Sequence, residues 1–132
     1  MTPPEKTATE VVCLVDDDLA ILKSIGRLLA SDGLLVRAFS RPQDFLRYVH
    51  VHLVPLVVLD ILMEGMTGLE VQAQLRELSP STRVIIMTGR EGATTRSAAA
   101  DMGASAFFTK PFDDEQFLRA VHSALDEHTR NE

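Results

Sequence analysis

Cysteine is nearly missing from this 132-residue chain: Cys13 stands alone, so no internal disulfide can form. That excludes the disulfide framework of a small secreted domain and fits a reducing compartment, so the expected location is cytoplasmic. Long apolar runs are missing too. The longest, Leu53 to Leu59, is broken by Pro55 and falls well short of the roughly 18 residues that a membrane helix needs. The opening MTPPEKTATE has no apolar core of the kind a signal peptide carries. Basic charge is scarce: 13 Lys and Arg stand against 19 Asp and Glu, a net charge of −6. Nucleic-acid surfaces need clustered cations, and no basic recognition helix is present, so direct contact with DNA is not expected. Internal repeats, low-complexity blocks and a second domain are also absent. The remaining composition, 45% hydrophobic and 24% charged, is that of an ordinary globular domain.

After a polar tail at 1–9, two kinds of segment alternate. Short runs rich in Val, Ile and Leu occur at Val11–Val15, Leu34–Phe39, Val54–Leu59, Val84–Thr88 and Ala106–Thr109. Such runs read as strands buried on both faces, the pattern of a parallel sheet. Helical spacing lies between them. The first helix carries Leu19, Leu22, Ile25 and Leu29 and stops at Gly33. The second is expected to open with a capping box of Ser40 and Gln43, and the third with Thr67 and Glu70. A fourth runs near Thr94–Met102, and a fifth opens at Asp113. Five such βα units are too few for an eightfold barrel. What remains is an α/β fold with an open, doubly wound sheet. Ligands in that architecture bind beyond the carboxyl ends of the strands.

Four of the five expected strands deliver polar groups to that edge: Asp16, Asp17 and Asp18; then Asp60; then Thr88 and Gly89; then Lys110. Helix capping accounts for Asp18, next to a helix start. It does not account for Asp60, which lies several residues ahead of the next helix, or for Lys110. If the first and third strands are neighbours, Asp16, Asp17 and Asp60 converge and repel one another, which a divalent cation would relieve. An oxygen-only donor set suits Mg²⁺. His50 and His52 are poorly spaced for a shared metal, and Cys13 lies within a strand. Carboxylates, a hydroxyl, a lysine and Mg²⁺ together point to phosphoryl transfer. Asp60 is the best candidate nucleophile, and Thr88 with the Gly89 N–H is placed to donate to a phosphoryl oxygen.

The motifs VDDD (15–18), LDILMEGMTGLE (59–70), MTG (87–89) and GASAFFTKPF (103–112) closely resemble those of receiver domains of two-component response regulators. The resemblance runs from about Val11 to Leu125, with the domain set at 10–128 and a short tail at 129–132. Around Phe39, Ser40 and Phe45, and in GMTGLE, the text is most similar to the nitrogen-fixation regulator type. The resemblance implies a flavodoxin-like sheet of five strands in order 2-1-3-4-5 with five helices. It assigns Asp60 as phosphoacceptor and Asp16 and Asp17 as the acidic pair, with Asp17 the direct Mg²⁺ ligand and the Leu62 carbonyl another. Lys110 becomes the phosphate-pairing lysine, ahead of a cis bond to Pro111. Thr88 becomes the hydroxyl that follows phosphorylation inward, and Phe107 the aromatic that turns with it; from the residues alone, Phe107 reads as core packing.

Two features depart from or tune the pattern. Glu64 stands where receivers usually carry Pro, which is expected to add charge and flexibility to its loop. Leu62 and Arg90 occupy the positions where the family adjusts dephosphorylation.

The implied partners are a sensor histidine kinase or phosphotransfer protein, a downstream effector or output domain, and a phosphorylation-dependent homodimer, with no membrane contact. The chain reads as a stand-alone regulator or a fragment of a transcriptional regulator, and as a switch rather than an enzyme. Two alternatives stand beside this reading. One is an aspartate-nucleophile phosphohydrolase of the haloacid dehalogenase type using Asp16 and Asp18, although Ala20 departs from its motif. The other is a receiver-like module that binds partners without phosphorylation.

Overall fold

The computed structural model describes residues 11–89 and 93–130. Strands β1 (Val11–Val15), β2 (Leu35–Phe39), β3 (Leu56–Asp60), β4 (Arg83–Thr88) and β5 (Ala106–Thr109) alternate with helices. The helices are α1 (Leu19–Ser31), α2 (Pro42–Val51), α3 (Gly68–Leu78), α4 (Ala93–Asp101) and α5 (Asp114–Arg130). All neighbouring strands are parallel, in the order β2-β1-β3-β4-β5. This is the flavodoxin-like sheet expected above. The chain order reverses at β1, so the carboxyl ends of β1 and β3 lie side by side.

Side chains alternate across each strand, and the two faces bury separate cores. Val12, Leu14, Val58, Ile85 and Met87 pack with Leu22, Ile25 and Leu29 of α1 and with Phe117 and Val121 of α5. Cys13, Val15, Val57, Leu59 and Ile86 pack with Phe45 of α2, Val71 and Leu75 of α3, and Ala99 of α4. Burial pushes the Cys13 thiol up to about 12, so it stays a neutral packing group.

Three expectations change. β2 and β5 are not buried on both faces: they lie at the two sheet edges, where Leu35 of β2 is 51% exposed and every residue of β5 is only half-buried. β3 begins at Leu56 rather than Val54, because Pro55 has no N–H to give a ladder; its carbonyl instead accepts from the Arg83 N–H at 2.9 Å. The Ser40–Gln43 capping box does not form. The N-cap is Arg41, with no side-chain cap, and Pro42 supplies the preset first turn. The other signals hold. Asp18 caps α1 by accepting from the Ala20 and Ile21 N–H groups, and Thr67 and Glu70 form a reciprocal box. Asp113 accepts from the Gln116 N–H at 2.9 Å. Gly33 (φ 86°) and Gly103 (φ 92°) take up the left-handed positions after α1 and α4.

The start of α3 is pressed against the end of β3. The Gly68 N–H donates to the Ile61 carbonyl at 2.8 Å, and a Cβ on Gly68 would stand 2.4 Å from the Asp60 carbonyl oxygen. Backbone is on both sides of that contact, so neither can yield cheaply. Gly68→Ala is expected to destabilise the fold by about 1–3 kcal/mol, the usual cost of overpacking, as measured by urea unfolding. An unchanged unfolding midpoint would show that the β3–α3 junction has slack.

Candidate functional site

Parallel pairing brings the strand-end side chains together. The Asp16 N–H extends the β1–β2 ladder by donating to the Phe39 carbonyl at 3.1 Å, and the Ile61 N–H does the same toward Met87 at 3.1 Å. The Lys110 N–H donates to the Thr88 carbonyl at 2.7 Å, so Lys110 leaves β5 at the same level. Its peptide bond to Pro111 is cis, as expected. From there the Lys110 ammonium reaches Oδ2 of Asp16 at 3.0 Å and Oδ1 of Asp60 at 3.4 Å. Asp16 is fully buried and Asp60 is 6% exposed. The second oxygen of Asp16 accepts from the Asp18 N–H at 2.9 Å.

Asp17 completes the cluster. Ligand oxygens of Asp16, Asp17 and Asp60 all lie within 4.8 Å of one another, and Asp17 is the exposed member. Oxygen-only donors crowded at this distance, with one face open to solvent, fit a hard divalent cation such as Mg²⁺. Electrostatics point the same way. Burial, reinforced by the neighbouring Asp16 charge, pushes the Asp60 carboxyl up to about 6 despite the counter-pull of Lys110. Burial also pulls Lys110 down, but its hydrogen bonds and charge contacts with Asp16 and Asp60 outweigh this and hold it above its ordinary value. Among the described residues, the Lys110 ammonium is the cation paired with this cluster, and the carboxylates outnumber it.

The remaining expected residues take these positions. Thr88 is buried at the end of β4, and Gly89 follows it at the surface. Among the described residues, nothing lies within 4 Å of where a Gly89 Cβ would stand. Phe107 is half-buried on β5 against the core beneath α3 and α4, so the core-packing reading describes part of its surface. Leu62 is 57% exposed. Arg90 lies outside the described residues. The loop at Glu64, expected to gain charge and flexibility, carries one long-range bond: the Glu64 N–H donates to Oδ2 of Asp17 at 3.0 Å, a bond that a proline could not make.

Two contacts had no sequence signal. One is this Glu64–Asp17 bond, and the other is the Arg96 guanidinium, 4.5 Å above the Phe107 ring. Neither depends on local spacing. A groove of about 470 Å³, lined by Asp17, Ser40, Arg41, Gln43, Glu64 and Gly65, opens beside the cluster.

The family described as the response regulator receiver domain matches residues 12–122. The chain belongs to that family. The receiver is 38% identical over 115 residues to the response regulator protein TodT of Pseudomonas putida, covering 87% of this chain and 51% of TodT. It therefore spans about half the length of that curated relative. Among solved structures, it resembles a CheY-like receiver domain protein of Methanospirillum hungatei, with a TM-score of 0.88 and 26% identity over 94% of this chain and 99% of that one. It also resembles the beryllofluoride-activated NtrC4 receiver domain dimer, with a TM-score of 0.85 and 29% identity over 89% of this chain and 98% of that one. The phosphohydrolase alternative gains nothing from the geometry: Oδ1 of Asp18 caps α1, and Asp18 is not among the clustered carboxylates.

The raised Asp60 carboxyl makes the metal-free receiver pH-sensitive in a definite direction. Below about pH 4 the group is protonated whether the chain is folded or unfolded. Between that and its folded value of about 6, the folded state keeps a proton that the unfolded chain releases, so stability falls as pH rises. Above this window the cost is complete, at roughly 2–3 kcal/mol. In chelator at pH 7.5, Asp60→Asn is expected to unfold about 10 °C above wild type. The gap should close near pH 4 or on addition of Mg²⁺ to the wild type. A wild type at least as stable as Asp60→Asn in chelator at pH 7.5 contradicts this account.

Proposed function

We propose that this receiver takes a phosphoryl group onto Asp60 from a phosphohistidine on a sensor kinase or phosphotransfer protein, and so switches a downstream partner. The observation that carries the reading is the Lys110 ammonium between Asp16 and Asp60, with Asp17 completing the oxygen cluster. Asp17, Asp16, Asp60 and the Leu62 carbonyl are the groups that would hold Mg²⁺. When bound, Mg²⁺ offsets the carboxylate repulsion and the charge on the transferring oxygens.

An oxygen of Asp60 attacks phosphorus as the bond from phosphorus to the imidazole nitrogen breaks. The nitrogen keeps the electron pair, and an aspartyl phosphate forms. Lys110 exchanges a carboxylate oxygen of Asp60 for a phosphoryl oxygen. The Thr88 hydroxyl and the Gly89 N–H donate to another, and Phe107 follows Thr88. These residues bias an equilibrium between two arrangements of the β4–α4 and β5–α5 units. In this reading the receiver is a switch whose only chemistry is its own phosphorylation and hydrolysis.

Because relatives such as TodT are about twice as long, the output is either a domain on a longer chain or a separate effector protein. The NtrC4 receiver dimer supports phosphorylation-dependent pairing of two copies. A cytoplasmic location is supported by the buried, unpaired Cys13, and among the described residues no helix is long and apolar enough to cross a membrane. The domain itself is taken to bind neither membrane nor nucleic acid.

Incubation with acetyl phosphate and Mg²⁺ is expected to add the mass of one phosphoryl group to wild type and none to Asp60→Asn. An unlabelled wild type would refute phosphoacceptance. Exposed Leu62 offers no side-chain bond to an attacking water. The phosphorylated wild type should therefore lose its label several-fold more slowly than Leu62→Asn, as followed by intact mass over time. Equal or faster loss from wild type would remove Leu62 as the cause of a long lifetime.

A further inference from the structure

The geometry points to the backbone N–H of Glu64 as a positioning group for the cation, acting through Asp17; this rests on the reading of Asp16, Asp17 and Asp60 as the cation site. Two of those carboxylates are already held. Lys110 clamps Asp16 and Asp60 from the β5 side, and both are buried. Asp17 is exposed, and an exposed carboxylate samples several rotamers, most of them pointing away from its partners. Its contact with Glu64 spans 47 residues of chain and joins the β1–α1 turn to the β3–α3 loop at 3.0 Å. An N–H bound to an ionised carboxylate is among the stronger kinds of hydrogen bond. It engages Oδ2 and would leave the other oxygen available to a cation.

The loop that carries this N–H is itself braced. Its ends are closed by the Gly68 N–H on the Ile61 carbonyl at 2.8 Å. Thr67 is fixed by its reciprocal bonds with Glu70. Gly65 makes the turn with φ 89°, and the Gln43 side chain lies 3.4 Å from where a Gly65 Cβ would stand. Glu64 thus presents its N–H from a rigid frame, which is what an outer-sphere group must do to hold a ligand in place. The carboxylate of Glu64 plays no part in this. The residue acts through its backbone, so any amino acid with an N–H can make this bond and proline cannot.

That distinction supplies the test. Glu64→Ala removes the side chain and keeps the donor, whereas Glu64→Pro removes the donor. No described non-glycine residue has a positive φ, so position 64 does not oppose proline on that account. Metal-free protein is titrated with Mg²⁺ alone and followed by calorimetry, with thermal unfolding in chelator recorded for each variant. Wild type and Glu64→Ala should bind within about twofold of each other, and Glu64→Pro roughly tenfold more weakly. Equal affinities for Glu64→Pro and Glu64→Ala overturn the proposal, as does a loss in Glu64→Ala as large as that in Glu64→Pro. A wild type that binds no Mg²⁺ overturns the cation site itself.

If Glu64→Pro does not fold, amide exchange decides. The Glu64 N–H of metal-free wild type should exchange several-fold more slowly than in Asp17→Ala. Equal exchange in the two proteins overturns the proposal.

Discussion

The ammonium of Lys110, held between the buried carboxylates of Asp16 and Asp60, is the interaction on which the carboxyl edge of the sheet depends. Burying two carboxylates side by side is costly, and one cation reduces that cost without removing it. The ammonium reaches this place because β5 pairs with β4, the Lys110 N–H bonds to the Thr88 carbonyl, and the side chain then crosses in front of β4 and β3 toward β1. The strand order, the length of β5 and the turn at Pro111 all serve this one contact. The same lysine links Asp60 to the half of the fold that carries Thr88, Phe107 and α5.

The incomplete neutralisation is as informative as the pair. With Asp17 beside them, three carboxylates face one ammonium, and the Asp60 carboxyl is held well above its ordinary value by burial and by Asp16. Such an excess of negative charge costs the folded state stability, which a bound cation would offset. The donor chemistry and the opening toward solvent fit a hydrated divalent cation, and the same edge can then accept the negative oxygens of a phosphoryl group. Local instability and reactivity share one cause here, which is a recurrent feature of functional sites.

Much of this was legible in the sequence. The five apolar runs, the capping signals at Asp18, Thr67 and Asp113, and the glycine stops at Gly33 and Gly103 depend on neighbours a few residues away, and the structure reproduces them. The strand-end residues were legible for the same reason, since a polar group directly after a buried strand needs no knowledge of the fold to be noticed. Two failures were also local. Ser40 looked like a helix cap but stands one residue too early, because Pro42 sets the first turn, and Pro55 delays β3. The exposure of β2 was not legible, since Leu35 and Val36 are apolar whether the strand is central or at the edge.

Residue type and spacing by themselves determined that strands alternate with helices and that acids, a hydroxyl and a lysine end those strands, because each of these follows from short-range patterning. Only the tertiary structure decided which strand ends meet. Placing β1 between β2 and β3 brings Asp16 beside Asp60, and carrying β5 to the far side of β4 lets Lys110 reach both. The tie from Glu64 to Asp17 belongs to the same class. Its donor is a backbone N–H that every residue but proline possesses, and its acceptor is 47 positions away, so composition and periodicity carry no trace of it until the chain is folded.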